Sequence, residues 1–176
     1  MTVYNFKERL EWSQGQFNSD IATTIKDLIP NCENVFQSDV SEDKSGVDYW
    51  AQLSGGHLLG VDVKSREAGA GKWWKYNEPE LALEVYSVCE TKKIGWTLDV
   101  TKITEYVFFN FDKQDSRLCF LIPFQLLRMA FKEKGKQWVG DYGIKYQNSE
   151  GWTSSAVFVP ASVVELAICE QFRHKV

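Results

Sequence analysis

The stretch from Gly46 to Lys64 constrains this chain more than any other. Two runs of alternating residues flank Ser54-Gly55-Gly56, and alternation with period two marks strands that bury one face. In the first run Tyr49, Ala51 and Leu53 fall on one side and Asp48, Trp50 and Gln52 on the other. In the second, Leu59, Val61 and Val63 oppose Asp62 and Lys64. A three-residue loop with glycine in the left-handed position pairs Leu53 with His57, and counting back along the ladder sets Asp48 directly across from Asp62. A two-residue loop would set Asp48 opposite Val63 and turn Asp62 to the other face, breaking both the apolar match and the carboxylate pair. The register therefore predicts two carboxylates and the Lys64 ammonium around a single point.

A surface hairpin with solvated charges would show much of the same pattern. Against it, aspartates directly opposite one another repel and Asp is a poor strand former, so both cost stability unless a cation or Lys64 compensates. Two hard carboxylates beside a bound phosphate can hold magnesium, which prefers oxygen ligands and keeps several waters. The tripeptide acid-any-Lys carries little alone, since it also begins at Glu42 and Glu90; only Asp62-Val63-Lys64 ends an alternating run.

This arrangement resembles the PD-(D/E)XK nuclease superfamily, the restriction-endonuclease-like fold of many restriction enzymes, phage exonucleases and Holliday-junction resolvases, over roughly residues 16–122. In that family a helix precedes a three-stranded meander, the first acid opens the second strand, and the (D/E)XK element ends the third. Asp48 matches the first acid and Asp62-Val63-Lys64 the second element, while Val47 stands where the family's name has proline. The resemblance implies that Asp48 and Asp62, with the Val63 carbonyl, hold magnesium or manganese, which lowers the pKa of a bound water and polarises the phosphate. It implies that Lys64 orients the attacking water or stabilises charge on the phosphorane oxygens. The family often adds an acid from the first helix. Asp20 fits by spacing, flanking an apolar stripe of Phe17, Ile21, Ile25 and Leu28; Glu11 is a second candidate, and a first-turn acid favoured by the helix dipole accounts for Asp20 equally well.

Beyond the proposed active strand, Lys64, Arg66, Lys72 and Lys75 face only Glu67 in a glycine-rich stretch that carries Trp73 and Trp74. Arg66, Lys72, Trp73 and Lys75 are the candidates for phosphate contact and base stacking, and a solvated loop anchored by two tryptophans is the alternative. Arg66 shares the strand parity of Lys64, and an exposed strand-end charge reads the same way. Glu84 is a further acid to weigh.

At 176 residues and 44% hydrophobic content the chain is read as one domain spanning 1–176. A net charge of -4 argues mildly against a nucleic-acid binder, and the local basic stretch weakens that argument. Cys32, Cys89, Cys119 and Cys169 are too far apart for a zinc motif, and His57 and His174 read as structural. Without an apolar leader or a membrane-length run, a cytoplasmic protein with free thiols is expected.

Along the chain, a helix from about Phe17 to Leu28 stops at Pro30, a strand covers Asn34–Gln37, and a polar loop leads to the hairpin. Leu81–Val88 reads as extended, and Glu105–Phe111 with Arg117–Ile122 as a strand pair that extends the sheet. A helix after Pro123 should close at Gly135; strands near Tyr142–Gln147 and Ser155–Val159 precede a last helix after Pro160. The fold expected is α/β, an α+β mixed sheet with a restriction-endonuclease-like core. The function expected is metal-dependent DNA cleavage, with RNA and a homodimer left open and a phage or mobile-element source suggested by size. A catalytically inactive nucleic-acid-binding or protein-interaction domain on the same fold is the alternative.

Overall fold

A computed structural model describes residues 19–39, 45–66, 75–111, 118–149 and 151–173. The elements, in chain order, are α1 (Ser19–Leu28), β1 (Cys32–Gln37), β2 (Tyr49–Leu53), β3 (Leu58–Arg66), β4 (Glu80–Val88), β5 (Lys93–Ile94), β6 (Tyr106–Phe111), β7 (Leu118–Pro123), α2 (Phe124–Tyr142), β8 (Ile144–Ser149), β9 (Trp152–Pro160) and α3 (Ala161–Arg173). The fold is mixed α/β, of the α+β kind. The chain divides into two compact units, one from residues 10–70 and 100–124, the other from 1–9, 71–99 and 125–176.

The first unit carries a five-stranded sheet in the order β1-β2-β3-β6-β7. β1, β2 and β3 form the expected antiparallel meander after α1, while β6 joins β3 in parallel and β7 returns antiparallel to β6. Tyr49, Ala51, Val61 and Phe108 bury one face of this sheet against Ile21, Ile25 and Ile29 of the α1 region. The apolar stripe expected through Leu28 runs through Ile29 instead, and Leu28 is exposed. Leu28 is the last residue of α1, and Ile29, just past the helix end, is the one that joins Ile21 and Ile25 in the core.

The hairpin has the three-residue loop that the alternation requires. Gly55 and Gly56 both take positive φ (98° and 85°), the Gly56 N–H donates to the Leu53 carbonyl at 3.0 Å, and the Leu53 N–H donates to the His57 carbonyl at 2.8 Å. The ladder runs from Gln52 across from Leu58 to Tyr49 across from Val61.

The second unit has a four-stranded antiparallel sheet in the order β5-β4-β9-β8. Leu81 and Leu83 lie across from Val159 and Val157, all four buried, and α3 packs on β9 and β4. α2 runs on past Gly135, where the sequence suggested it would close. A helical glycine costs only about 1 kcal/mol, too little to stop a helix that buries Phe131 and Trp138. The stop comes at Gly143, at φ 76°, whose N–H donates to the Val139 carbonyl at 3.0 Å. Among the described residues no helix is long and apolar enough to cross a membrane.

Two glycines make opposite predictions. A Cβ on Gly60 would lie 2.7 Å from a Val47 methyl carbon and 3.0 Å from Glu105 Oε2, with Val47 fully buried and unable to give way. Gly60→Ala should cost about 1–3 kcal/mol in denaturant unfolding. Gly140, on α2, has nothing within 4 Å of such a Cβ, so Gly140→Ala should gain about 1 kcal/mol in the same measurement.

Candidate functional site

Asp48 sits where β2 begins, and its position is held from both sides. Its N–H donates to the Val61 carbonyl of β3 at 2.9 Å, and its carbonyl accepts the Ser38 N–H, just past β1, at 3.0 Å. The Ser38 hydroxyl also donates to the Val47 carbonyl. The β2/β3 ladder ends with Tyr49 across from Val61, one residue short of the Asp48/Asp62 pairing that the sequence predicted. Asp48, through its N–H, and Tyr49, through the ladder, both face Val61, as at a β-bulge, and the Asp48 carboxylate reaches the Val63 N–H.

The Asp48 carboxyl feels the charge of Asp62 beside it, and two hydrogen bonds tie the group together. Asp48 Oδ2 accepts the Val63 N–H at 2.6 Å, and Lys64 Nζ donates to Asp62 Oδ1 at 2.6 Å. Odd-numbered β3 residues turn their backbone groups toward β2, which has ended at Asp48; the Val63 N–H therefore meets a carboxylate instead of a strand. The Val63 carbonyl is turned to that same uncovered side of the strand.

Asp62 is buried and the Lys64 side chain is one-third exposed, so the ammonium marks the solvent side of the cluster. Burial, then the charge of Asp62, push the Asp48 carboxyl up to about 7, against a smaller downward pull from Lys64 and the Val63 N–H. With both acids ionised the cluster holds two negative charges against one positive, and a proton or a cation relieves the difference. Among the described residues no group of three His, Cys, Asp or Glu side chains gathers at one point. Two carboxylates and an outward backbone carbonyl nevertheless suit magnesium or manganese, which binds through one or two carboxylates while keeping several waters.

The remaining sequence candidates fare differently. Asp20 lies exposed in the first turn of α1, where its carbonyl accepts the Thr24 hydroxyl at 2.7 Å. Arg66 ends β3 on the strand parity of Lys64, partly exposed and across from Phe111. Glu11, Lys72 and Trp73 lie outside the described residues. Lys75 belongs to the second unit, where its N–H donates to Glu80 Oε1 at 3.0 Å and its ammonium sits 5.3 Å from the Tyr76 ring centroid. Glu84 is on β4, and its carboxylate accepts the Trp96 N–H at 2.9 Å, which gives it a loop-holding task.

Glu105 escaped sequence reasoning. Its N–H donates to the Gly60 carbonyl at 2.9 Å and its carboxylate accepts the Gly60 N–H at 2.5 Å, so it braces β3 two residues before Asp62. Nothing local signals a partner 45 residues away. The chain matches no family model, and no curated protein matches it.

Because the folded-state pKa of Asp48 lies above its ordinary value, the stability tied to its proton is complete below about pH 4 and is lost as pH rises through about 7. Asp48→Asn keeps an acceptor for the Val63 N–H and gains a donor for Asp62. It should therefore become more stable than the unsubstituted protein as pH rises from 4 to 8, by up to about 4 kcal/mol. Denaturant melts of both proteins across that range would reveal this, and equal curves at every pH would contradict it. Magnesium or manganese should raise the Tm of the unsubstituted protein more at pH 8 than at pH 6, and leave that of Asp48→Asn nearly unchanged.

Proposed function

We propose that this protein is a metal-dependent phosphodiesterase that cuts nucleic acid, a DNA nuclease of the PD-(D/E)XK type. One observation carries the reading: two aspartates that the hairpin register places side by side, with Lys64 bonded to the second of them, at the open end of a helix-then-meander unit. Nothing in ordinary folding favours a carboxylate pair at that position, and a site that must hold a divalent cation does. In this reading Asp48, Asp62 and the Val63 carbonyl hold magnesium or manganese, and the cation supplies an activated water and neutralises phosphate charge.

The protein's own groups have distinct tasks. Lys64, a compact ammonium on the solvent side, positions the incoming water or steadies charge that builds on the phosphate oxygens. The backbone bonds of Asp48 to Ser38 and Val61 fix its carboxylate in advance, so no reorganisation is needed as charge develops. Arg66, further along the same face of β3, is placed to meet a neighbouring phosphate. An Asp48 carboxyl that titrates near 7 weakens cation binding in acid, so cleavage should rise with pH between 6 and 8.

A second reading, a domain that kept the fold without the chemistry, draws on one observation. Lys64 already neutralises Asp62 at 2.6 Å, and a proton on Asp48 would complete a cluster that needs no metal. Calorimetric titration with magnesium or manganese at pH 8 separates the two, since the silent domain takes up no cation even with DNA present.

The direct test is a panel of linear, circular, single-stranded and branched DNA plus RNA, incubated with either metal. Metal-dependent cutting is expected, lost in Asp62→Asn and reduced about a hundredfold or more in Lys64→Met. Lys64→Met should still bind the cation. Unimpaired cleavage by that variant removes the role given to Lys64, and no cleavage of any substrate removes the nuclease reading.

A further inference from the structure

We infer that the four-stranded sheet of the second unit carries a separate binding row for single-stranded nucleic acid, formed by Tyr86, Ser155 and Tyr146. It draws on the nucleic-acid reading above only for the identity of the polymer, because none of its residues belongs to the Asp48/Asp62/Lys64 cluster.

Register places the three residues in one line. Tyr86 of β4 lies across from Ser155 of β9, and Ser155 lies across from Tyr146 of β8; Ile94 of β5 continues the line beyond Tyr86. Directly opposite residues of an antiparallel ladder share a face. Toward the other end of that face, Leu83, Val157, Leu81 and Val159 are buried. The cover stops at this row: Tyr86 is 37% exposed, Ile94 54% and Tyr146 66%. Large apolar residues are thus left uncovered across the end of an otherwise buried sheet face, a pattern that marks an interaction site.

Ser155 supplies an independent pointer to a ligand. It is 2% exposed, and among the described residues its hydroxyl oxygen has no hydrogen-bond partner. Buried hydroxyls are normally paired, and an unpaired one costs about 1–3 kcal/mol. The rings on either side can take the flat faces of bases, and the buried hydroxyl becomes available to the polar edge of a base only as those rings turn toward a ligand. Two strand spacings separate the tyrosines, about 10 Å, which gives each ring its own base. The exposed Lys92 and Lys93 lead into β5 at the Ile94 end, against Glu90, so the border of the row is net positive and suited to phosphates. Flat rings, a hydroxyl and flanking ammonium groups match a single strand better than an apolar peptide or a duplex, whose bases are already stacked on one another.

The experiment is fluorescence anisotropy of a labelled oligothymidine in EDTA, so that binding is read without metal or cleavage, with a duplex of equal length as the comparison. The protein should bind the single strand more tightly than the duplex. Tyr86→Ala and Tyr146→Ala should each weaken it by about five- to a hundredfold, with Tyr146→Phe close to unchanged. Thermal melts identify any variant lost to misfolding, and for such a variant the tyrosine-to-leucine replacement, which keeps bulk and removes the ring face, is used in its place. Affinity unchanged in folded variants, no single-strand binding at all, or tyrosine variants that alter only self-association in sedimentation would each overturn the proposal. Tyrosine-dependent binding without metal-dependent cleavage on the panel retains the row and removes the nuclease reading; cleavage with tyrosine-independent binding does the reverse.

Discussion

Two aspartates facing each other across an antiparallel pair repel, and the local structure of the first unit is arranged around that repulsion. Asp48 and Asp62 meet at the end of the β2/β3 ladder, and burial strengthens their interaction. Lys64 answers one charge and the Val63 N–H answers part of the other. Removing one member of a buried charged cluster generally costs more than the cluster contributes, because the partner is left exposed to the low dielectric alone. Lys64 therefore offsets one of the two charges where it stands. The unmet negative charge is the feature a divalent cation would exploit.

Holding that cluster needs bracing from strands distant in sequence. β1 reaches Asp48 through Ser38, and β6 reaches β3 through its parallel ladder, with Glu105 extending the contact to Gly60. Gly60 is the meeting point of Val47 and Glu105, and the absence of a side chain there lets both approach β3. The opposite face of the same sheet is ordinary apolar packing against Ile21, Ile25 and Ile29. One face supplies the stability that the other, with its strained electrostatics, draws on.

The second unit follows a different logic. Its antiparallel sheet is covered by α3 over most of one face and left open at the Tyr86–Ser155–Tyr146 row. Long α2 is tied to α3 by Gln171 to Glu133 at 2.9 Å and by Lys134, which bridges Glu133 and Glu170. These are surface links of modest strength, and the buried Leu, Val and Trp side chains carry the stability.

The sequence by itself determined the hairpin and its register, since period-two alternation, a glycine-rich loop and the apolar match of two short runs leave one pairing that buries Val61 and Val63 with Tyr49 and Ala51. It determined where most strands and helices lie, for the same reason of periodicity, and it brought Asp48 and Asp62 to neighbouring positions at the end of the hairpin ladder. It mistook Leu28 for Ile29 and ended α2 too soon, because how a helix end packs and whether a buried glycine is tolerated are set by what packs against them. Only the tertiary structure decided that β6 lies parallel to β3, that Glu105 braces Gly60, that Lys75 and Glu84 belong to the other unit, and that Ser155 is buried between exposed tyrosines. Each of those depends on contacts between residues far apart in the chain, and no local pattern of polarity encodes a partner that distant.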